Sequence, residues 1–293
     1  MVHRRPGDAS VNAVRLALGT LTVLPVRPPA SVDRRTAGRA MVLAPLVGLL
    51  LAVVVLIVLW VLGGGTLLLL GSAAHGPGLG TSSPSSLIAA AMTVALLALL
   101  TRAMHLDGLA DVADGLGSGR DRERALAVMR QSDIGPFGVV TLLLVLLLQV
   151  ACLEQLVQTP AGQAAIVGAL LLSRFMLPAV CLRGVPSARP DGLGAMVAGS
   201  VGLPGLLVAA GLAAAAWLLV SLVATATSQR LYGGLLGPSG FSVPHVLANV
   251  VVPLLLTGLF ARHCVRRFGG VTGDVLGACV EVCFTTALLV AAI

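Results

Sequence analysis

Residues 139–157, VVTLLLVLLLQVACLEQLV, follow directly on residues 105–138, HLDGLADVADGLGSGRDRERALAVMRQSDIGPFG. The apolar run decides the fold. It approaches the ~20 residues that a helix needs to cross the hydrocarbon core of a bilayer. In that medium a helix satisfies its own backbone N–H and C=O groups, which an irregular chain cannot do. Further runs of this kind lie on both sides: Met41 to Leu62, Leu87 to Met104, Ala161 to Leu182, Leu203 to Thr225, Val243 to Phe260 and Val275 to Ile293. Hydrophobic residues make up 57% of the 293 positions and charged residues 11%, and mean hydropathy is +1.00. No soluble core of this size uses so much apolar sequence. The expectation is an all-α, polytopic integral membrane protein of about seven transmembrane helices, forming one membrane-embedded catalytic domain over residues 1–293.

Residues 1–10 are polar and expected to be loose. Val11 to Val26 is apolar but holds Arg15 and Pro25, so it reads as a re-entrant or interfacial helix rather than a span. No small-residue cleavage site follows it, which argues against a signal peptide. The stretch from Gly63 to Ser86 carries no charge.

All nineteen basic residues apart from histidine are arginine. Seven precede the first span, five lie from Arg102 to Arg130, two are Arg183 and Arg189, and three lie from Arg262 to Arg267. Arg230 alone falls in a loop on the other side, and Arg174 lies within a span. By the positive-inside rule this puts the N-terminus and residues 105–138 on the cytoplasmic face of the cell membrane. The net charge of +7 then reflects topology and anionic lipid rather than nucleic acid. Cys152, Cys181, Cys264, Cys279 and Cys283 lie in or beside apolar runs and form neither a disulfide framework nor a CxxC metal site.

Six of the twelve acidic residues fall within residues 105–138. On a helix, Asp107, Asp111 and Asp114 lie within roughly 60° of one another. Carboxylates stacked in this way raise one another's pKa unless a cation sits among them, and all-oxygen ligation suits Mg²⁺ or Mn²⁺. The alternative is a solvated acidic turn. Gly108, Gly115, Gly117 and Gly119 supply backbone that a phosphate can approach closely. Together these features point to metal-assisted chemistry on a diphosphate.

Asp274 and Glu281, seven residues apart, share a helix face, with Glu281 roughly 10 Å deeper. A carboxylate inside a span is costly and needs a partner or a polar cavity. Arg174 is either its ion-pair partner or a phosphate ligand. His105 fits a general base, a substrate hydrogen bond or a packing role.

The block His105-Leu106-Asp107-Gly108-Leu109-Ala110-Asp111, continuing through Ala113-Asp114-Gly115 to Ile134-Gly135-Pro136-Phe137-Gly138, closely resembles the adenosylcobinamide-GDP ribazoletransferase (cobalamin synthase) family. Leu21-Thr22-Val23-Leu24-Pro25, Pro45-Leu46-Val47-Gly48 and Gly270 to Ala278 are similar to further blocks of that family, in the same order. Val23 and Gln131-Ser132-Asp133 depart from its usual pattern, and Gln131 and Asp133 are left out of any role. The resemblance implies an Mg²⁺-dependent membrane enzyme that joins adenosylcobinamide-GDP to α-ribazole or its 5′-phosphate, releasing GMP. Asp107, Asp111 and Asp114 would hold the metal. The proton acceptor would be one of these or Asp274 or Glu281. His105, Arg102, Arg174, Gly108 and Gly115 would contact substrate. Membrane lipid is its solvent, and a homo-oligomer is compatible with it. A CDP-alcohol phosphotransferase-like enzyme, matched by the fragment Asp111-Val112-Ala113-Asp114-Gly115, and a membrane transporter are the rival readings.

Overall fold

The computed structural model describes residues 6–62, 84–232 and 243–293. Among these, helices account for all regular structure: α1 (Pro6–Leu21), α2 (Arg34–Val42), α3 (Ala44–Leu62), α4 (Pro84–Leu100), α5 (Met104–Gly117), α6 (Arg122–Val128), α7 (Pro136–Leu156), α8 (Pro160–Val180), α9 (Gly192–Val197), α10 (Leu203–Tyr232), α11 (Val243–Phe268) and α12 (Gly273–Ala292). The ends are set by local chemistry. Asp33 accepts from the Thr36 N–H at the start of α2, Asp121 from Arg124 at α6, Thr159 from Gly162 at α8, and Thr272 from Val275 at α12. Each of these side chains satisfies a donor that the first turn leaves without a carbonyl. Pro136 and Pro160 occupy first-turn positions, where the missing N–H costs nothing.

Among the described residues six helices, α3, α7, α8, α10, α11 and α12, are long and apolar enough to cross a membrane. The seventh expected span, Leu87 to Met104, corresponds to α4, which together with α5 forms a bent pair that makes seven if it is counted as one span. α4 stops at Leu100, Arg102 and Ala103 adopt left-handed conformations with φ of 54° and 52°, and α5 departs at 89°. Two consecutive residues in that region break the helix because the i to i−4 ladder cannot pass through them. α5 therefore runs across the end of the bundle, outside the six spans.

Two other boundaries differ from expectation. α11 continues to Phe268, past the expected end at Phe260, and takes in Arg262, Arg266 and Arg267. Arginines in a last turn complement the helix dipole and carry their charges to the interface. α1 begins at Pro6, inside the segment expected to be loose, and residues 1–5 lie outside the described residues, as do 63–83 of the charge-free stretch.

α8 and α12 form the centre. Their spanning windows are 72% and 67% buried, against 6% for α10, whose Leu218, Leu219 and Leu222 face outward as lipid-facing residues should. One core cluster surrounds Phe268, Met41, Cys181 and Cys279, and a second surrounds Leu153, Leu170 and Leu288. All five cysteines are buried and free.

The connections gather at one end of the bundle. The Val23 N–H donates to the Leu100 carbonyl (2.7 Å), which fixes the chain after α1 to the end of α4. Leu182 pairs with Val201, and Ser187 pairs with Val271. An Arg34 guanidinium N–H donates to the Ala198 carbonyl. The end of α8, the starts of α7, α10 and α12, and all of α5 thus share one face.

Candidate functional site

The site begins at a close crossing. A Cβ placed on Gly108 of α5 would lie 2.7 Å from the Asp274 carbonyl oxygen, and one on Gly277 of α12 would lie 3.1 Å from the His105 Cα. Only small residues permit backbones to approach this closely in a membrane protein. The crossing sets Asp107 of α5 and Asp274 of α12 into the wall of one cleft of about 460 Å³.

The opposite wall comes from the segment between α8 and α9. The Ala188 N–H donates to the Val271 carbonyl (3.0 Å), and the Val271 N–H to the Pro186 carbonyl (2.9 Å). Gly270, at φ +158°, lies where a Cβ would meet Ser187 backbone at 2.4 Å. This docking delivers Arg189. Its Nη2 donates to the Leu126 carbonyl (2.9 Å), its Nη1 lies 3.5 Å from Asp274 Oδ2, and its Nε is buried without a partner. The Thr272 hydroxyl donates to the same Asp274 oxygen at 3.2 Å. Arg130 and Asp191, paired at 3.0 Å and half exposed, close the outer rim beside Gly192 and Gly194.

Of the aspartate stripe, Asp107 lines the cleft. Asp111, a turn further on, has its pKa raised from 3.8 to about 7. The cause is first burial and then the charges of Asp274, Asp107 and Asp114, with Arg189 pulling the other way. Asp114 is turned aside: only 7% exposed, it accepts from the Gly135 N–H (Oδ2, 2.8 Å) and the Gly138 N–H (Oδ1, 3.0 Å). It thereby caps α7, whose own N-cap residue is a glycine with no side chain to offer. Among the described residues no group of three or more His, Cys, Asp or Glu side chains is arranged to hold a metal ion. The reorientation of Asp114 accounts for that within the stripe.

The remaining candidates lie elsewhere. Arg102, expected at the substrate, donates to the Gly19 and Thr22 carbonyls and so ties α4 to the N-terminal segment. His105 is buried under α12, and Gly115 packs against Met129 and Phe268. Gly108 lies at the helix crossing, against the Asp274 backbone. Arg174 and Glu281 line a separate small chamber together with Gln149, which donates to Glu281 at 2.8 Å. A larger cavity of about 540 Å³ among α8, α10, α11 and α12 is apolar and has no ionisable lining. Arg189 was missed. Its setting in the polar turn Pro186-Ser187-Ala188-Arg189-Pro190-Asp191-Gly192 was the available signal, since loops on rigid scaffolds carry function.

Apolar spans that converge on a cleft of facing carboxylates and arginines define a multi-pass membrane protein with an ionic site at one membrane edge. The comparisons are more specific. Residues 13–292 match the family described as cobalamin-5-phosphate synthase. The chain is 42% identical over 284 residues to the adenosylcobinamide-GDP ribazoletransferase of Frankia casuarinae, covering 95% of this chain and 93% of that protein. It is 42% identical over 278 residues to that of a Nocardioides species (95% and 97%), and 35% identical over 272 residues to that of Corynebacterium efficiens (93% and 88%). No solved structure matches. The chain belongs to the cobalamin-5-phosphate synthase family. That membership does not favour the CDP-alcohol phosphotransferase or transporter readings.

Proposed function

We propose that the chain is an adenosylcobinamide-GDP ribazoletransferase of the cell membrane with its cleft open to the cytoplasm. The hydroxyl of α-ribazole, or of its 5′-phosphate, attacks the cobinamide-bearing phosphorus of the diphosphate. One P–O bond forms, the anhydride P–O bond breaks, GMP leaves with the bridging oxygen, and the hydroxyl proton passes to a carboxylate of the site. The single observation that carries this reading is the meeting of Asp107, Asp274 and Arg189 in one cleft of a chain that matches this family over nearly its whole length.

Arg189 is fixed through Leu126 and Asp274 while Nε is left without a partner, and a planar guanidinium held this way suits a phosphate oxygen. Gly192, exposed in the lining of the cleft, leaves backbone open to a bulky substrate. The donor set also fits Mg²⁺. That ion is commonly bound by one or two carboxylates plus substrate phosphates and keeps several waters, so a complete protein cage is not required. Asp107 and Asp111, with Asp274 beside them at the helix crossing, would hold it, and Asp114 would fix their helix to α7. When bound, the ion would offset charge on the diphosphate oxygens.

The test is product analysis. Purified protein in nanodiscs, given adenosylcobinamide-GDP, α-ribazole and Mg²⁺, should release GMP and the joined corrinoid in equal amounts, and EDTA should stop both. Corrinoid uptake into vesicles without GMP release would overturn the reading.

A further inference from the structure

Arg174 in α8 and Glu281 in α12 are 3% and 8% exposed, inside membrane-spanning helices, and no direct ion pair joins them. Arg174 Nη1 donates to the Ser173 hydroxyl at 2.9 Å, but its Nε is buried without a partner. Glu281 Oε2 accepts from Gln149 Nε2, which also donates to the Thr285 hydroxyl at 3.0 Å. Two opposite charges this deep are strongly unfavourable unless something joins them.

The space between them is not filled by protein. A chamber of about 20 Å³ is bounded by Thr101, Leu106, Gln149, Arg174 and Glu281, with an apolar back wall that includes Phe284. A cavity holds a water when it offers more than roughly 10–15 Å³ and two to four polar partners. This one meets both conditions.

We propose that the chamber binds an ordered water that accepts from Arg174 Nε and donates to a Glu281 carboxylate oxygen, and that the bridged pair positions the first turn of α5. The walls carry the second half of the inference. Leu97 belongs to α4, Leu106 to α5, Gln149 to α7, Arg174 to α8 and Glu281 to α12, so five elements meet on this one volume. Leu106 faces the chamber while the next residue, Asp107, faces the cleft. Chamber and cleft therefore stand back to back across a single turn. His105, in that same turn, lies close enough to Arg174 to feel its charge, and neither of its ring nitrogens has a partner. Arg174 and Glu281 act on the cleft through α5, without touching substrate.

The water assignment is independent of the substrate. A nanodisc structure at a resolution that shows ordered solvent should place a water within hydrogen-bond distance of both Arg174 Nε and Glu281; a dry chamber or a direct contact would overturn it. Arg174→Met and Glu281→Leu should each lower the melting temperature by about 10 °C by leaving the other charge alone. The double variant should lose less than the sum, and strict additivity would count against the bridge. For the positioning role, Glu281→Gln should lower kcat of the folded fraction about tenfold with KM for the nucleotide substrate unchanged, and Glu281→Asp should recover most of that loss. Equal turnover in the Gln variant and the wild type would overturn positioning. If no transfer activity is found, the solvent map and the melting temperatures still decide the bridge.

Discussion

Asp111 shows how one residue's surroundings set both a cost and a use. Its folded pKa of about 7 lies above the ordinary 3.8, chiefly because burial disfavours the charged form and three carboxylates add to it. Between those two values the native state binds a proton that the unfolded chain releases, so stability falls as pH rises through the window. In EDTA, the wild type should therefore melt lower at pH 8 than at pH 5 by more than Asp111→Asn does, and the variant should be the more stable of the two at pH 8. A difference between the two proteins that does not change with pH would remove this account. A divalent ion needs the carboxylate ionised, so Mg²⁺ affinity should rise with pH through about 7. The same Asp111→Asn change should cost turnover at least ~100-fold, the scale of losing one electrostatic group at a reacting phosphoryl centre, while the protein stays inserted. Undiminished GMP release in that variant would take Asp111 out of the ligand set.

Among the elements, α5 is the piece on which the others are registered. The spacing of Asp107, Asp111 and Asp114 was legible in the sequence, because helical periodicity alone places them on one stripe. What became of the stripe was not legible, because Asp114 finds its partners at Gly135 and Gly138, more than twenty residues on, across a turn whose path no periodicity describes. Arg189 was hidden for the same reason: its link to Asp274 spans 85 positions and depends on the Ser187 to Val271 docking. Gly108 read as a phosphate contact, and the fold places it where α5 meets α12. Asp114 thus has a structural task that separates it from its neighbours. Asp114→Ala, by stranding two N–H groups at the start of α7, should cost about 2 kcal/mol, and Asp114→Asn less, since an amide oxygen still accepts. Thermal melts in detergent read this directly, and an alanine variant as stable as the wild type would show that the cap contributes nothing.

At the scale of the molecule, charge and fold agree on one face. The apolar runs located the spans because transfer of ~20 residues into hydrocarbon dominates every local preference. The run over α4 is likewise a helix, Pro84–Leu100, ended short of Met104 where two left-handed residues turn the chain, and α11 runs past its expected end to take in three arginines. The described arginines that precede α3, those from Arg102 to Arg130, Arg183, Arg189 and those that end α11 all belong to the end where α5 lies. At the opposite end, where α7 closes and α10 carries Arg230, Glu154 is hydrogen-bonded by Ser86 at 2.9 Å. Because basic segments resist translocation, the α5 end should be cytoplasmic, and the nucleotide substrate should reach the cleft from that side. A fluorescent-protein insertion between Ser118 and Gly119, in the exposed turn after α5, should fluoresce, and alkaline phosphatase joined after Ile293 should be active outside. The α12 dipole agrees, since its N-terminal end then faces the compartment that holds the anionic diphosphate. The reverse pattern of reporters would put the cleft on the side that lacks nucleotide and would sink both the orientation and the route by which substrate arrives.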